Sequence, residues 1–139
     1  MKSDEVFEHK DIIFKEGIPG FEHLTKFRLL EGEDDIFYYL QSVEEKAIIL
    51  PIIDPYLIKP DYTPNIHESY FEKLGGGHTE DYAVYVVATI RDNMEETTIN
   101  LQAPLLIHVE KRIGVQAIVE DKVYQSRHKI LTLIQERGA

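Results

Sequence analysis

Apolar residues in this chain come in short runs of Ile, Val, Tyr and Phe, broken at close intervals by Gly, Pro and charged residues. Eight such runs stand out, at 11–15, 27–31, 37–42, 47–53, 82–90, 97–102, 105–109 and 115–119. β-Branched and aromatic residues suit a pleated, half-buried surface, and many short runs with frequent turns predict an antiparallel sheet closing on itself. Strands this close together leave little room for crossover helices, which argues against a parallel α/β sheet. In 82–90 both faces are loaded, with Tyr82, Val84, Val86, Ala88 and Ile90 on one side and Ala83, Tyr85, Val87 and Thr89 on the other. That pattern predicts a long central strand. Pro104, which cannot donate to a ladder, marks an edge, a bulge or a corner.

The period changes in two places. Ile66, Tyr70, Phe71 and Leu74 recur at helical spacing behind Pro64-Asn65, with Asn65 as the expected N-cap and Glu68 completing a capping box. Gly75-Gly76-Gly77 ends that helix, because glycine enters the left-handed conformation without a Cβ clash. A second short helix is expected at about 129–137, with Ile130, Leu133 and Ile134 on one face. No linker or internal repeat divides the chain, so the expectation is one domain over 1–139. The fold class expected is mostly β: an antiparallel, barrel-like domain with one or two short helices.

Composition supports an ordinary hydrophobic core. The chain has 139 residues, of which 43% are hydrophobic, and no cysteine. Without cysteine there is no disulfide framework, no Cys nucleophile and no thiolate metal site. Lys and Arg number 15 against 25 Asp and Glu, a net charge of −10. A protein that holds nucleic acid through its phosphates needs the opposite balance. The excess is local: residues 1–70 hold 15 acids and 7 bases, whereas 4 acids and 6 bases lie from Glu110 onward. It peaks at Glu31, Glu33, Asp34 and Asp35, in an expected hairpin loop. The polar N-terminus lacks a secretory signal, and no apolar stretch approaches the ~20 residues of a membrane span. The expected setting is the cytoplasm, with no membrane partner.

No catalytic, cofactor or metal motif emerges. The six histidines (His9, His23, His67, His78, His108 and His128) include no pair three or four apart. Gly75-Gly76-Gly77 follows a helix instead of opening one, so no helix N-terminus is aimed at an anion there. Neither a Gly-x-Ser-x-Gly elbow nor a buried-looking carboxylate pair is present. Catalysis is therefore not expected, although polar residues around Asn100, Gln102 and His108 leave a small-ligand-binding barrel or barrel enzyme as the alternative. The consecutive aromatics Phe37, Tyr38 and Tyr39 cannot all point inward on an alternating strand, so at least one should face out or lie under a helix. An exposed one would be a candidate for a protein interface.

Three segments carry more information together. Phe14-Lys15-Glu16-Gly17-Ile18-Pro19-Gly20-Phe21 follows the first strand, and Asn100-Leu101-Gln102-Ala103-Pro104 comes in the last third. Arg112-Ile113-Gly114-Val115-Gln116 follows, then Tyr124 and Arg127-His128. Gly17-Ile18-Pro19-Gly20 reads as a reversal, with Pro19 fixing φ and Gly20 supplying φ > 0 as a type II turn requires. Phe14 and Phe21 bracket it and are expected to pack together. The Asn100 and Gln102 side chains can satisfy backbone groups where Pro104 interrupts the ladder, or contact a partner. Arg112 and Gln116 are either surface residues or partner contacts.

In order and spacing these segments resemble the flagellar assembly factor FliW family, from Asp11 to His128. The resemblance implies a small β-barrel without catalysis or cofactor. It also implies two protein partners: flagellin, bound through its C-terminal region, and the translational repressor CsrA, antagonised allosterically so that flagellin messenger RNA is translated. The chain itself would touch no nucleic acid. The candidate partner-binding residues are Glu31, Glu33, Asp34, Asp35, Phe37, Tyr38, Asn100, Gln102, Pro104, Arg112 and Gln116.

Overall fold

The first strand, β1 (Ile12–Ile13), is followed by a meander of β2 (Lys26–Glu31), β3 (Phe37–Ser42) and β4 (Ile49–Ile53). The structure, a computed structural model, describes residues 11–32 and 36–137. Helices α1 (Pro55–Ile58) and α2 (Glu68–Lys73) lead to the long strand β5 (Tyr82–Thr89). Then come β6 (Thr98–Ile99), β7 (Leu105–His108), β8 (Ile113–Gln116), β9 (His128–Lys129) and α3 (Ile130–Arg137).

Seven strands form a ring in the order β4-β3-β2-β1-β8-β7-β5, closed by β5 pairing back to β4 through Ile52–Val87 and Ile53–Val86. An odd number of strands cannot alternate direction all the way round, so one neighbouring pair must run parallel. That pair is β1–β8, with Ile13 opposite Ile113, a parallel pairing in the otherwise antiparallel barrel expected from the sequence. At its far end β5 also pairs with β6, and β6 with β9, a small sheet that extends the barrel wall.

Alternation separates two cores. Ile12, Phe27, Leu29, Leu40, Ile52, Tyr85, Leu105 and Ile107 fill one cluster, the inward faces of the ring strands. The opposite face of β3, β4 and β5 contributes Phe37, Ile53, Val86 and Ala88 to a second cluster, roofed by Ile58 of α1 and by Ile130 and Leu133 of α3. Helix α2 covers Leu106 and Val115 with Tyr70 and Phe71. Both faces of β5 are thus covered, which explains its doubly apolar pattern. The run of three aromatics has the same cause: Tyr38 joins the inner cluster, while Phe37 and Tyr39 join the outer one.

Turn chemistry explains most element ends. The α2 helix closes on Gly75 and Gly76, both at positive φ, with the Gly76 N–H donating to the Phe71 carbonyl and the Gly75 N–H to that of Glu72. Its start differs from the expectation at Asn65. The cap is His67, whose Nδ1 accepts the Ser69 N–H at 3.1 Å. The Asn65 N–H donates to Asp121, and the Thr63 N–H to the Tyr124 hydroxyl, so tertiary bonds hold this stretch out of the helix. Helix α1 was not expected from periodicity, being one turn long; its signal is Asp54-Pro55, an Asp cap with proline in the first turn. The predicted strand at 97–102 shrinks to two residues because the Asn100 side chain bends the backbone after Ile99.

Candidate functional site

The three segments singled out in the sequence are linked through β8, the first beside its start and the second at its end. Gly17 and Gly20 both take positive φ, and the Phe21 N–H donates to the Ile18 carbonyl at 2.7 Å, closing the turn over Pro19-Gly20. The Glu22 carboxylate accepts the Gly20 N–H, and its own backbone N–H, with that of Gly20 second, holds its pKa below the usual carboxylate value. The turn carries Phe14 into the barrel, where its ring meets Phe27 edge-on at 5.7 Å. Phe21, half-buried, packs against the same cluster as Phe14, whose edge-on ring partner is Phe27.

Gly114 lies beneath that ring. A Cβ placed on Gly114 would sit 2.7 Å from Phe14 Cε2, so the absence of a side chain makes room for the aromatic. Beside it, the Ile13 N–H donates to the Arg112 carbonyl at 3.0 Å, joining first and third segments through the backbone. The second segment docks on the third: Gln116 Nε2 donates to the Ala103 carbonyl at 2.9 Å, and the Ala117 N–H to that of Pro104 at 2.8 Å.

Within the second segment Asn100 turns the chain, its Oδ1 accepting the Gln102 and Ala103 N–H groups at 3.0 and 3.1 Å. Pro104 is buried, and Gln102 is exposed. The backbone-satisfying role expected of Asn100 and Gln102 side chains is performed by Asn100 and Gln116. His108 stands at the other end of β7, buried, accepting the Lys111 N–H on Nδ1 and meeting Tyr82 edge-on. A strand of that length separates Asn100 and Gln102 from His108 by on the order of 10 Å. They form no common polar pocket. Among the described residues no group of three His, Asp or Glu could hold a metal ion.

Arg112 has φ +53, the only non-glycine residue with positive φ among those described. It closes the β7–β8 hairpin, its N–H donating to the His108 carbonyl at 2.8 Å. A side chain in the left-handed region costs roughly 1–2 kcal/mol, which glycine avoids. Arg112→Gly is therefore expected to leave the unfolding free energy within about 0.5 kcal/mol or raise it, whereas Arg112→Val should lower it by about 1–2 kcal/mol. Urea unfolding of the two variants checks this. Equal loss in both would show that the guanidinium, and not the turn, stabilises the hairpin.

The β2–β3 hairpin, next to β1 in the ring, holds the remaining candidates at its far end from the β1 pairing. Glu31 is exposed at the end of β2, paired across the ladder with Tyr38. Phe37 is buried in the outer core, and Tyr38 is half-buried with its ring edge-on to Tyr85 at 5.8 Å. Neither Tyr38 nor Tyr39 is exposed. Glu33, Asp34 and Asp35 lie outside the described residues.

Tyr124 and His128 have structural partners. The Tyr124 ring meets Tyr62 at 4.8 Å, and the Tyr62 hydroxyl donates to the Leu101 carbonyl at 2.7 Å while burial raises its pKa well above the usual tyrosine range. His128 Nε2 accepts the Gln125 N–H at 2.8 Å, and burial, aided by Lys59, pushes its pKa below 6.5. A histidine kept neutral in the fold binds fewer protons than the unfolded chain as pH falls below 6.5, so its contribution is full above that value and is lost on acidification. His128→Gln is expected to flatten the fall of stability with pH just below 6.5, as read from urea midpoints across a pH series. An unchanged slope would refute the assignment.

Comparison with known proteins places the barrel in context. The family model described as FliW protein matches residues 2–130. A flagellar assembly factor FliW of Caldicellulosiruptor saccharolyticus is 42% identical over 124 residues, 89% of this chain and 82% of the relative. One of Alkaliphilus metalliredigens is 37% identical over 134 residues, covering 95% and 83%. A crystal structure of the flagellar assembly factor FliW superposes with a TM-score of 0.81 at 36% identity, over 88% of this chain and 86% of that one. The barrel that links the Gly17–Gly20 turn and the Asn100–Pro104 bend through β8 thus has the fold of a flagellar assembly factor, and the chain belongs to the FliW family.

Proposed function

We propose that this protein is a cytoplasmic, single-domain, non-catalytic binding protein that engages flagellin through its C-terminal region and, when free of it, captures CsrA. Capture acts allosterically and restores translation of flagellin messenger RNA. Family membership across residues 2–130 carries the reading. The net charge of −10 supports the CsrA arm, since a repressor that grips RNA is basic and opposite charges speed encounter. No helix among the described residues is long and apolar enough to cross a membrane.

The experiment is calorimetry with each purified partner, followed by translation of a flagellin leader in a cell-free system containing CsrA. Binding of both partners and recovery of translation are expected, with flagellin abolishing the recovery. Binding of neither would end the proposal. Allostery adds a kinetic signature: the protein should hasten dissociation of a preformed CsrA–RNA complex beyond the rate set by a trap RNA.

Within this reading the acids Glu31, Glu33, Asp34 and Asp35 steer CsrA. Replacing all four with their amides is expected to slow association several-fold at low ionic strength and to reduce its salt dependence, with little change in dissociation. Stopped-flow association across a salt series measures both. On-rates identical to the parent at every salt concentration would remove the steering role. Asn100, Pro104 and Gln116 serve mainly by shaping the bend, while exposed Gln102 and the guanidinium of Arg112 are the groups offered to a partner. Arg112→Gly therefore separates fold from contact: loss of binding at retained stability supports a contact.

A further inference from the structure

A cleft at the outer end of the β5–β6–β9 sheet gathers three cations on this acidic chain. It measures about 660 Å³ and is lined by Arg91, Arg127 and Lys129 together with Asp92, Asn93 and Glu96. Two segments supply the cations, the loop after β5 with Arg91 and the stretch 127–129, and both are tied to the strand at 97–99. Buried Thr97 accepts the Arg91 N–H on Oγ1 at 3.0 Å and the Ile130 N–H on its carbonyl at 3.1 Å. Lys129 is registered opposite Thr98 in the β6–β9 ladder, and Arg127 precedes the residue opposite Ile99. Lys129 therefore stands on β9, while Arg91 and Arg127 stand on residues next to the bonded positions.

Their charges are poorly used within the fold. Lys129 Nζ has only a long, exposed contact of 3.9 Å to Glu96. Among the described residues neither the Arg91 nor the Arg127 guanidinium has an ion-pair partner. Apolar side chains flank Arg91 along the chain: Ile90 is 42% exposed and Met94 47%. Arginine and methionine beside exposed aliphatic surface is the composition of a protein-binding patch.

We infer that this cleft binds an acidic polypeptide segment, with Arg91 and Arg127 taking carboxylates through paired N–H donors, Lys129 adding a point charge, and Ile90 and Met94 covering the segment's apolar side chains. The guanidinium fork matches a carboxylate in two hydrogen bonds. A polyphosphate fits less well. Its charges are closely spaced, Asp92 and Glu96 sit in the same cleft, and the whole chain is at −10. Carboxylates on a peptide can be spaced to meet the arginines and avoid the acids. The inference does not depend on which partners the family reading assigns.

The test titrates the full-length, isotopically labelled protein with an end-blocked glutamate decapeptide, a lysine decapeptide, inorganic phosphate and a uridine decanucleotide, following backbone amides by NMR at low salt. The glutamate peptide is expected to shift amides of 89–98 and 127–129, and the lysine peptide to leave them in place. The double variant Arg91→Gln/Arg127→Gln is expected to weaken that binding about tenfold or more, while its thermal midpoint stays that of the parent because both side chains lack internal partners. Shifts that fall elsewhere, or persist in the variant, overturn the inference. So does phosphate or the decanucleotide binding as tightly as the glutamate peptide, which would make the cleft a general anion or nucleic-acid site.

Discussion

Replacing Phe14 with alanine is expected to lower the unfolding free energy by about 3–5 kcal/mol, the cost of deleting a fully buried aromatic ring. Phe14 has no exposed surface, pairs edge-on with Phe27 and rests on Gly114, so no neighbour can collapse into the vacated space without breaking the parallel seam. Since a domain holds only about 5–15 kcal/mol in all, the variant should sit near the edge of folding. The sharper form of the prediction is a double-mutant cycle. Gly114→Ala places a methyl 2.7 Å from Phe14 Cε2 and 3.2 Å from Ile107 Cγ1, an overpacking cost of about 1–3 kcal/mol. Shortening the ring by Phe14→Leu removes the colliding atoms. The two changes together should therefore cost less than their separate losses summed, by about 1 kcal/mol. Chemical unfolding of the four proteins gives the coupling, and strict additivity would show that ring and glycine do not constrain each other.

Gly17→Ala should be comparably severe, at about 3 kcal/mol or more, for a different reason. The position combines φ +70 with a Cβ site 2.5 Å from Glu22 Cα and 2.6 Å from its carbonyl oxygen, and backbone atoms cannot step aside. Gly20 provides the control. Its φ is +93, but nothing lies within 4 Å of its Cβ site, so Gly20→Ala should cost only the left-handed penalty of about 1–2 kcal/mol. Asparagine separates the two causes. It tolerates left-handed backbone, so Gly20→Asn should recover part of the loss at that position, while Gly17→Asn should be as damaging as alanine. Thermal midpoints of the four variants rank them. A Gly17→Ala protein as stable as Gly20→Ala would mean that the turn relaxes away from Glu22.

The two glycines illustrate what is legible locally. Pro19-Gly20 announces a type II turn because its requirement lies in the dihedral angles of adjacent residues. The same holds for the Gly75-Gly76 stop and for the loaded faces of β5. Gly114 carries no such mark, since its requirement comes from a ring a long way off in the chain. Asn65 shows the converse error: its local capping pattern was sound, but the hydrogen bonds of Asn65 to Asp121 and of Thr63 to Tyr124 held the segment extended and gave the cap to His67. The site residues divide likewise. Asn100 was readable as a backbone-satisfying side chain, whereas the use of Gln116 for the same purpose depends on β8 lying beside the bend. The cleft of Arg91, Arg127 and Lys129 was visible only as a mild basic excess late in the chain, because strand pairing alone brings those cations together.

By itself the sequence determined a mostly β fold, the Pro19-Gly20 turn and the glycine stop, the position of the long strand, and three segments that resemble its family. These follow from alternation and from the dihedral preferences of Pro, Gly and Asn, which act over a few residues. Only the tertiary structure decided that the three segments are linked through β8, that the β1–β8 pairing is parallel, and that Phe37 and Tyr39 lie under helices while Tyr38 points inward. Closing seven strands into a ring forces one parallel pair, and which strands form it depends on contacts between residues far apart in the chain.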